Sequence, residues 1–292
     1  MPENALALDP QVRDQIVETK VTCPFLGSLV HQELLSVRGA ADNPLANIED
    51  VRRLGNEGGG DLGDLLAFFA AGNHALMRNS AGNALDTPVP AGLFSLELPG
   101  SQGSHPGHSG ILQGNPATLG SGRLSEEDFD RLATLASDDS LKRSDVGKFI
   151  AQNLKRDPNS KVASANVAEL IGHDLAGVVE AISTTLASKI FGSSASDHSL
   201  LEQRLTKLMG ENNLVGSAGE FGLLFAFLTH DPKTKEIDGE PALSLDRIRG
   251  MFVQKRLPDG WQSWKKSRLD WVVHTTALLL SAGKEFHRLS AT

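Results

Sequence analysis

Residues 21–35, Val21-Thr-Cys-Pro-Phe-Leu-Gly-Ser-Leu-Val-His-Gln-Glu-Leu-Leu35, predict a helix that begins at a cysteine. Pro24 suits the first helical position, because its fixed φ and its missing N–H cost nothing there. Apolar residues then recur at helical spacing, at Leu26, Leu29, Val30, Leu34 and Val37. Cys23 therefore takes the N-cap position, where unpaired backbone N–H groups and the positive end of the helix dipole favour thiolate over thiol.

Cys23 is the only cysteine in the 292 residues. A single thiol excludes an internal disulfide and any multi-cysteine zinc or iron–sulfur site, and it suits a reducing compartment. A thiolate held by backbone donors can act as a nucleophile or as a metal ligand. An arbitrary cysteine, however, is more often a small buried apolar residue. All three interpretations stay open on this segment alone.

Charge and hydropathy restrict the class of partner. The formal net charge is −8, and the 28 Lys and Arg residues are scattered along the chain. Such a distribution does not predict binding to nucleic acid or to an anionic membrane. No apolar run reaches membrane-spanning length, and the N-terminus lacks the basic and apolar pattern of a signal peptide. We expect a cytoplasmic protein with small-molecule partners.

Helical periodicity dominates the chain and predicts an all-α fold, in one domain, with a short β element. The segments with an apolar helical stripe are 61–77, 125–137, 143–155, 163–191, 199–209, 217–230, 244–256 and 267–286. Gly92-Leu-Phe-Ser-Leu-Glu-Leu98 alternates with period two and predicts a strand. Residues 99–122 are so rich in Gly, Ser and Pro that we expect a structured loop. Residues 156–216 have the pattern of an inserted helical pair.

The cysteine segment resembles a known signature. Cys23-Pro-Phe-Leu-Gly-Ser-Leu29, followed by Leu35 and Gly39, is similar to the P-C-P-x-L-x-x-L…G motif of the haem-thiolate chloroperoxidases and unspecific peroxygenases. In that family the cysteine ligates haem iron from the start of a helix, and its thiolate favours O–O cleavage. Thr22 replaces the first proline of the motif. The resemblance implies haem b, with Cys23 as the axial ligand of the iron.

A second segment, Gln113-Gly-Asn115, stands where the family has an E-G-D or E-H-D motif. In the family this acidic motif helps to bind magnesium beside a haem propionate, and a hard divalent cation needs anionic oxygens. Because both carboxylates are amides here, we expect no tightly bound magnesium, and the amides would bond the propionate directly. His108 is a further candidate contact to the propionate. A metal site of His105, His108 and His74 is the weaker alternative.

A third segment, Gly219-Glu-Phe-Gly-Leu-Leu-Phe-Ala-Phe-Leu228, resembles the family's E-S-G-F-x-F-A-L segment, with Glu220 at the acid–base position. Burial among apolar residues raises a carboxyl pKa toward the range in which the group can shuttle a proton. The alternative is a solvent-facing glutamate at a helix start, which the dipole also favours. Further along, Asp246–Phe252 and Leu257-Pro-Asp-Gly-Trp261 resemble a late helix and a Pro-Gly-Trp turn of the family.

On this resemblance we expect a haem-thiolate peroxidase or peroxygenase that uses hydrogen peroxide or an organic peroxide to oxidise a small organic substrate or a halide. Glu220 would be its catalytic acid–base. The rival hypothesis is a haem-free helical protein, in which Cys23 is structural within a binding module or is a nucleophile paired with His31 or His74. His31 lies two turns along the same helix, about 12 Å from Cys23, so it cannot activate the sulfur within that helix.

Overall fold

The computed structural model describes residues 8–21, 23–38, 44–63, 65–67, 93–96, 125–156 and 213–291. Most of these residues are helical, which confirms a mainly helical fold. The labelled helices are α1 (Pro10–Thr19), α2 (Pro24–His31), α3 (Ile48–Gly55), α4 (Glu126–Ala133), α5 (Arg143–Arg156), α6 (Asn213–Leu228), α7 (Leu245–Phe252) and α8 (Arg268–Ser290). The strands are β1 (Val37–Arg38), β2 (Leu45–Asn47), β3 (Leu93–Ser95), β4 (Ser140–Lys142), β5 (Lys235–Ile237) and β6 (Glu240–Ser244).

Helices α4, α5, α7 and α8 occupy four of the segments that the periodicity predicts. Ser125 caps α4 by accepting a hydrogen bond from the N–H of Asp128, and Ser267 caps α8 in the same way through Asp270. These caps explain why the two helices begin within a residue of the predicted positions. Helix α6, which carries Glu220, begins at Asn213, earlier than predicted. Residues 213–216 therefore belong to this helix and not to the predicted insertion.

Several predicted segments lie outside the described residues. These are the helices over 163–191 and 199–209, the loop 99–122, the rest of the proposed insertion up to residue 212, and most of the helix over 61–77, of which residues 63 and 65–67 are helical.

Helix α2 is shorter than the sequence predicts. It ends at His31, because Glu33 adopts a left-handed φ of 59° that breaks the helix. Leu34 is then 37% exposed, and Val37 enters β1 opposite Ala46 of β2. The apolar periodicity past residue 31 therefore belongs to a turn and a strand, not to the helix.

Two small antiparallel sheets flank the helices. In the first, β2 lies between β1 and β3, and Leu45 pairs with Ser95, so the predicted strand at 92–98 is confirmed in its centre. In the second, β6 lies between β4 and β5, and Leu141 pairs with Leu243. Strand β6 leads directly into α7, so this sheet fixes the position at which α7 begins.

Close contacts at glycine hold α8 against α5 and α6. A Cβ atom at Gly222 of α6 would lie 2.0 Å from Oγ1 of Thr275, and one at Gly147 of α5 would lie 2.3 Å from Oγ of Ser281. Both crossings therefore require a residue without a side chain. The buried apolar residues form one continuous cluster that extends from α1 to α8. Among the described residues, no helix is long and apolar enough to cross a membrane.

Candidate functional site

Cys23 caps the N-terminus of α2, as the sequence predicts. Its backbone is extended, with φ −72° and ψ 120°, and Pro24 follows at the first helical position. The side chain is partly buried and packs against the apolar core. The Cys23 side chain accepts no cap hydrogen bond, but the backbone N–H groups of Leu26 and Phe25 act on the sulfur and lower the pKa of the thiol. The first turn of the helix therefore turns its unpaired donors toward the sulfur.

Burial outweighs these donors. It raises the pKa of the Cys23 thiol to about 11, while the backbone N–H groups of Leu26 and Phe25 act in the opposite direction. The expectation that the helix start favours a thiolate is therefore wrong for the protein by itself, because desolvating the anion costs more free energy than the first turn of the helix restores. At neutral pH the group is a thiol unless a cation binds it.

Glu220 acts on Cys23 through space, although the two are far apart in the sequence. It sits two turns past the start of α6 and is partly buried, so it does not stand at a helix start. Its carboxylate acts on the sulfur through space and raises the pKa of the thiol. The structure thus places the two candidate residues within electrostatic range of each other.

Lys255 is a third member of this group, and no pattern in the sequence points to it. It follows α7, adopts a left-handed φ of 52°, and lies over the first turn of α2. A Cβ atom at Gly27 would lie 3.6 Å from Cδ of Lys255. The ammonium acts through space on Cys23, where it lowers the thiol pKa, and on Glu18 of α1. A cation therefore faces the same sulfur as the carboxylate of Glu220.

The candidate histidine partner of the thiol lies elsewhere. His31 ends α2, and its Nδ1 is 3.3 Å from Oδ1 of Asp14 on the protein surface. It thus faces α1 rather than the sulfur. The other candidate, His74, lies outside the described residues, as do the predicted propionate contacts Gln113, Asn115 and His108 and the second loop histidine, His105.

An aromatic cluster joins the helix of Cys23 to the helix of Glu220. Phe25 of α2 packs edge-on against Phe227 of α6 with ring centroids 5.4 Å apart, and it lies 6.0 Å from Trp261. Phe227 also contacts Trp261 and Trp264, at 5.9 and 5.7 Å. Phe227 is only 2% exposed, so it belongs to the core. These contacts fix the distance between the two helices that carry the site.

A buried lysine closes this cluster. The ammonium of Lys266 is fully buried and donates to the carbonyls of Glu57, Trp261 and Trp264, at 2.9, 3.0 and 3.0 Å. It also lies 5.1 Å from the ring centre of Trp261. Burial lowers the pKa of Lys266 to about 8. The three carbonyls and the ring face compensate the charge and tie the loop after α3 to the tryptophan turn.

A second polar cluster lies between α6 and α8. The ring of His274 is 5% exposed, its Nε2 is 3.1 Å from Oγ1 of Thr229, and its Nδ1 has no hydrogen-bond partner among the described residues. Burial, reinforced by the charge of Arg143, lowers the pKa of His274 to about 4. The imidazole is therefore neutral at pH 7. This cluster supports the packing of α6, but nothing in its contacts links it to Cys23.

The donor set near Cys23 fits a haem iron. It offers one sulfur ligand in a partly buried position at a helix N-terminus, and the charge of Glu220 on a separate helix acts on this sulfur through space. Within the described residues, no three His, Cys, Asp or Glu side chains group together in a way that could hold a metal ion. Comparison of the chain with protein-family models, with curated proteins and with solved structures finds no match.

Proposed function

We propose that this protein is a haem-thiolate peroxidase or peroxygenase. The observation that carries the proposal is that Cys23 stands at the N-terminus of α2, where the charge of Glu220 from α6 reaches its sulfur through space. An iron-ligating sulfur and an acid–base carboxylate must act on the same bound peroxide, so they have to come from separate elements that face one site.

Cys23 would hold the iron, and the haem would supply the redox chemistry when bound. Metal coordination deprotonates a thiol outright, so a thiol pKa of about 11 does not prevent ligation. The N–H groups of Phe25 and Leu26 would then stabilise the negative sulfur. Phe25, Leu26 and Leu29 of α2 are all buried. These apolar side chains would exclude water from the sulfur side of the haem.

Glu220 would manage the proton. Heterolytic cleavage of a peroxide requires that a proton leave one oxygen and reach the other, so that the second oxygen departs as water or as an alcohol. A carboxylate can accept that proton and return it. The product would be an oxidised small organic molecule or halide, consistent with a chain whose charge distribution favours small-molecule partners.

The rival hypotheses differ in how they treat the sulfur. A thiol-dependent enzyme needs a thiolate near neutral pH, and the thiol pKa of about 11 together with the position of His31 disfavours it. A haem-free binding module with a structural cysteine fits the burial of the thiol. It predicts a colourless protein.

The spectrum of the purified full chain, expressed with added haem precursor, tests the proposal. We expect a Soret band that moves to the long wavelength of thiolate ligation after reduction under carbon monoxide. Cys23→Ser keeps an N-cap side chain of nearly the same size but removes the thiolate. This variant should lose the thiolate spectrum and keep its far-UV circular dichroism. Protein that takes up no haem, or a Cys23→Ser variant with the parent spectrum, would refute the assignment.

A further inference from the structure

The surroundings of the sulfur contain a cation that the proposed chemistry does not yet use. The turn after α7 places Lys255 over α2: the N–H of Arg256 donates to the carbonyl of Gly250 at 2.9 Å, and that of Leu257 donates to Oε1 of Gln32 at 3.0 Å. These bonds fix the backbone on both sides of the turn. The position of the lysine is therefore set by the fold and not by a freely moving surface chain.

The side chain of Lys255 follows the first turn of α2. A Cβ atom at Gly27 would have Cδ of Lys255 at 3.6 Å and Cγ1 of Val17 at 3.8 Å, so the apolar part of the lysine packs in the crevice between α1 and α2. Gly27 donates its N–H to the carbonyl of Cys23 at 2.9 Å, one turn away. The ammonium at the end of this packed stem acts through space on Cys23 and on Glu18.

We propose that Lys255 is a positioning residue that acts through the Cys23 sulfur and raises the reduction potential of the haem iron. This inference rests on the proposed haem-thiolate function. A fixed positive charge beside the sulfur stabilises negative charge on it, and in a partly buried site water and salt screen such a charge poorly. Electron density held on the sulfur is withdrawn from the iron, so the cation favours the reduced iron, which carries one electron more.

Glu18 makes the inference testable in both directions. It lies on the exposed side of α1, and its carboxylate acts on the Lys255 ammonium. Part of the lysine charge is therefore compensated away from the sulfur. Removing the lysine charge and removing the glutamate charge should move the potential in opposite directions. A general loss of structure would not produce shifts of opposite sign.

The experiment is a spectroelectrochemical titration of the ferric–ferrous couple in the haem-loaded full chain. Lys255→Met, which keeps the length of the stem, should shift the potential downward, and Glu18→Gln should shift it upward. Lys255→Arg should stay near the parent value. Lys284→Met serves as the matched control, because it removes the same charge from an exposed lysine in the second half of α8. Haem content and the carbon monoxide spectrum are measured for each variant.

The outcomes separate the two proposals. A parent protein without thiolate-ligated haem overturns the haem function and, with it, the role of Lys255. A parent with that spectrum, together with Lys255→Met at the parent potential or shifted no further than Lys284→Met, overturns the role of Lys255 alone. So does a Lys255→Arg variant that shifts as far as Lys255→Met. If Lys255→Met does not fold, the direction of the Glu18→Gln shift decides, and no shift or a downward one refutes the proposal.

Discussion

The ring of Phe25 meets the ring of Phe227 edge-on, with centroids 5.4 Å apart and an angle of 67° between the planes. Phe25 follows Cys23 by two residues, and Phe227 lies on the helix of Glu220. Aromatic pairs in this geometry contribute about 0.5–1.5 kcal/mol beyond the area that they bury. The contact between these two rings therefore holds α2, which carries the sulfur, against α6, which carries the carboxylate.

Removal of the Phe227 ring should loosen this connection. Phe227→Ala creates a cavity among Phe25, Trp261 and Trp264 and should lower the free energy of unfolding by about 3–5 kcal/mol. If the site binds haem, the variant should also release it faster. Urea unfolding and haem transfer to apomyoglobin measure these effects. Phe286→Ala, at a partly buried ring near the end of α8, is the control and should cost less. Equal losses in the two variants would contradict the special role of Phe227.

The stability of the protein should depend on the protonation of His274. Its pKa is lowered from 6.5 to about 4, so the unfolded chain binds more protons between these two values. The stabilisation is complete above pH 6.5, decreases as the pH falls through this window, and is absent below pH 4. The shift corresponds to about 3 kcal/mol.

His274→Gln should abolish this part of the pH dependence, because an amide does not titrate. The free energy of unfolding in urea, measured at pH 7, 5.5 and 4 for parent and variant, gives the difference that belongs to His274. The exposed His287, changed to Gln, is the matched control and should leave the pH profile of the parent unchanged. Parallel profiles for the parent and His274→Gln would show that the buried imidazole does not titrate in this way.

Much of the helical fold could be predicted because its signals are local. A serine N-cap before an amphipathic run marks α4 and α8, and Pro24 after Cys23 marks the start of α2. The missed β5–β6 hairpin also has a local signal: Asp238 and Gly239 both adopt positive φ, at 55° and 76°, as a two-residue turn requires. Helix α1 likewise has a local signal, because Asp9 caps it directly before Pro10.

The site could be predicted only in part, because its remaining determinants are long-range. Cys23 and Glu220 were identified by resemblance, yet the pKa of the thiol depends on burial by residues distant in the sequence. Lys255 approaches α2 only because of the turn after α7, and one lysine near the end of a helix gives no sign of this. The end of α2 at His31 was missed for the same reason, since pairing with β2 draws Val37 into a strand.

The amide pair Gln113 and Asn115 leads to a prediction about magnesium. Neutral amide oxygens are poor ligands for a hard divalent cation without carboxylates. We expect the haem-loaded protein to contain no stoichiometric magnesium and to keep its peroxide activity in the presence of a chelator. Elemental analysis and activity with EDTA measure this. Gln113→Glu combined with Asn115→Asp should create a magnesium site, and stoichiometric magnesium in the parent would show that the motif is wrongly placed.

Replacement of the Glu220 carboxylate by an amide tests the mechanism separately from cofactor binding. A glutamate can accept a proton from one peroxide oxygen and return it to the other, whereas the amide of glutamine, with almost the same shape, can do neither. Acid–base catalysis of this kind contributes about 10²–10⁴ in rate. The corresponding barrier is roughly 3–5.5 kcal/mol. A purely structural role for Glu220 would leave this factor intact in the amide variant.

Glu220→Gln should therefore slow the reaction with hydrogen peroxide by about 10²–10⁴-fold, with the haem content and the carbon monoxide spectrum of the parent. Stopped-flow mixing, followed at the Soret band, measures this rate. Glu236→Gln, at an exposed position of β5, is the matched control and should react at the parent rate. If the Glu220→Gln protein reacts as fast as the parent, the proton must move through another group, and the carboxylate beside Cys23 has no catalytic role.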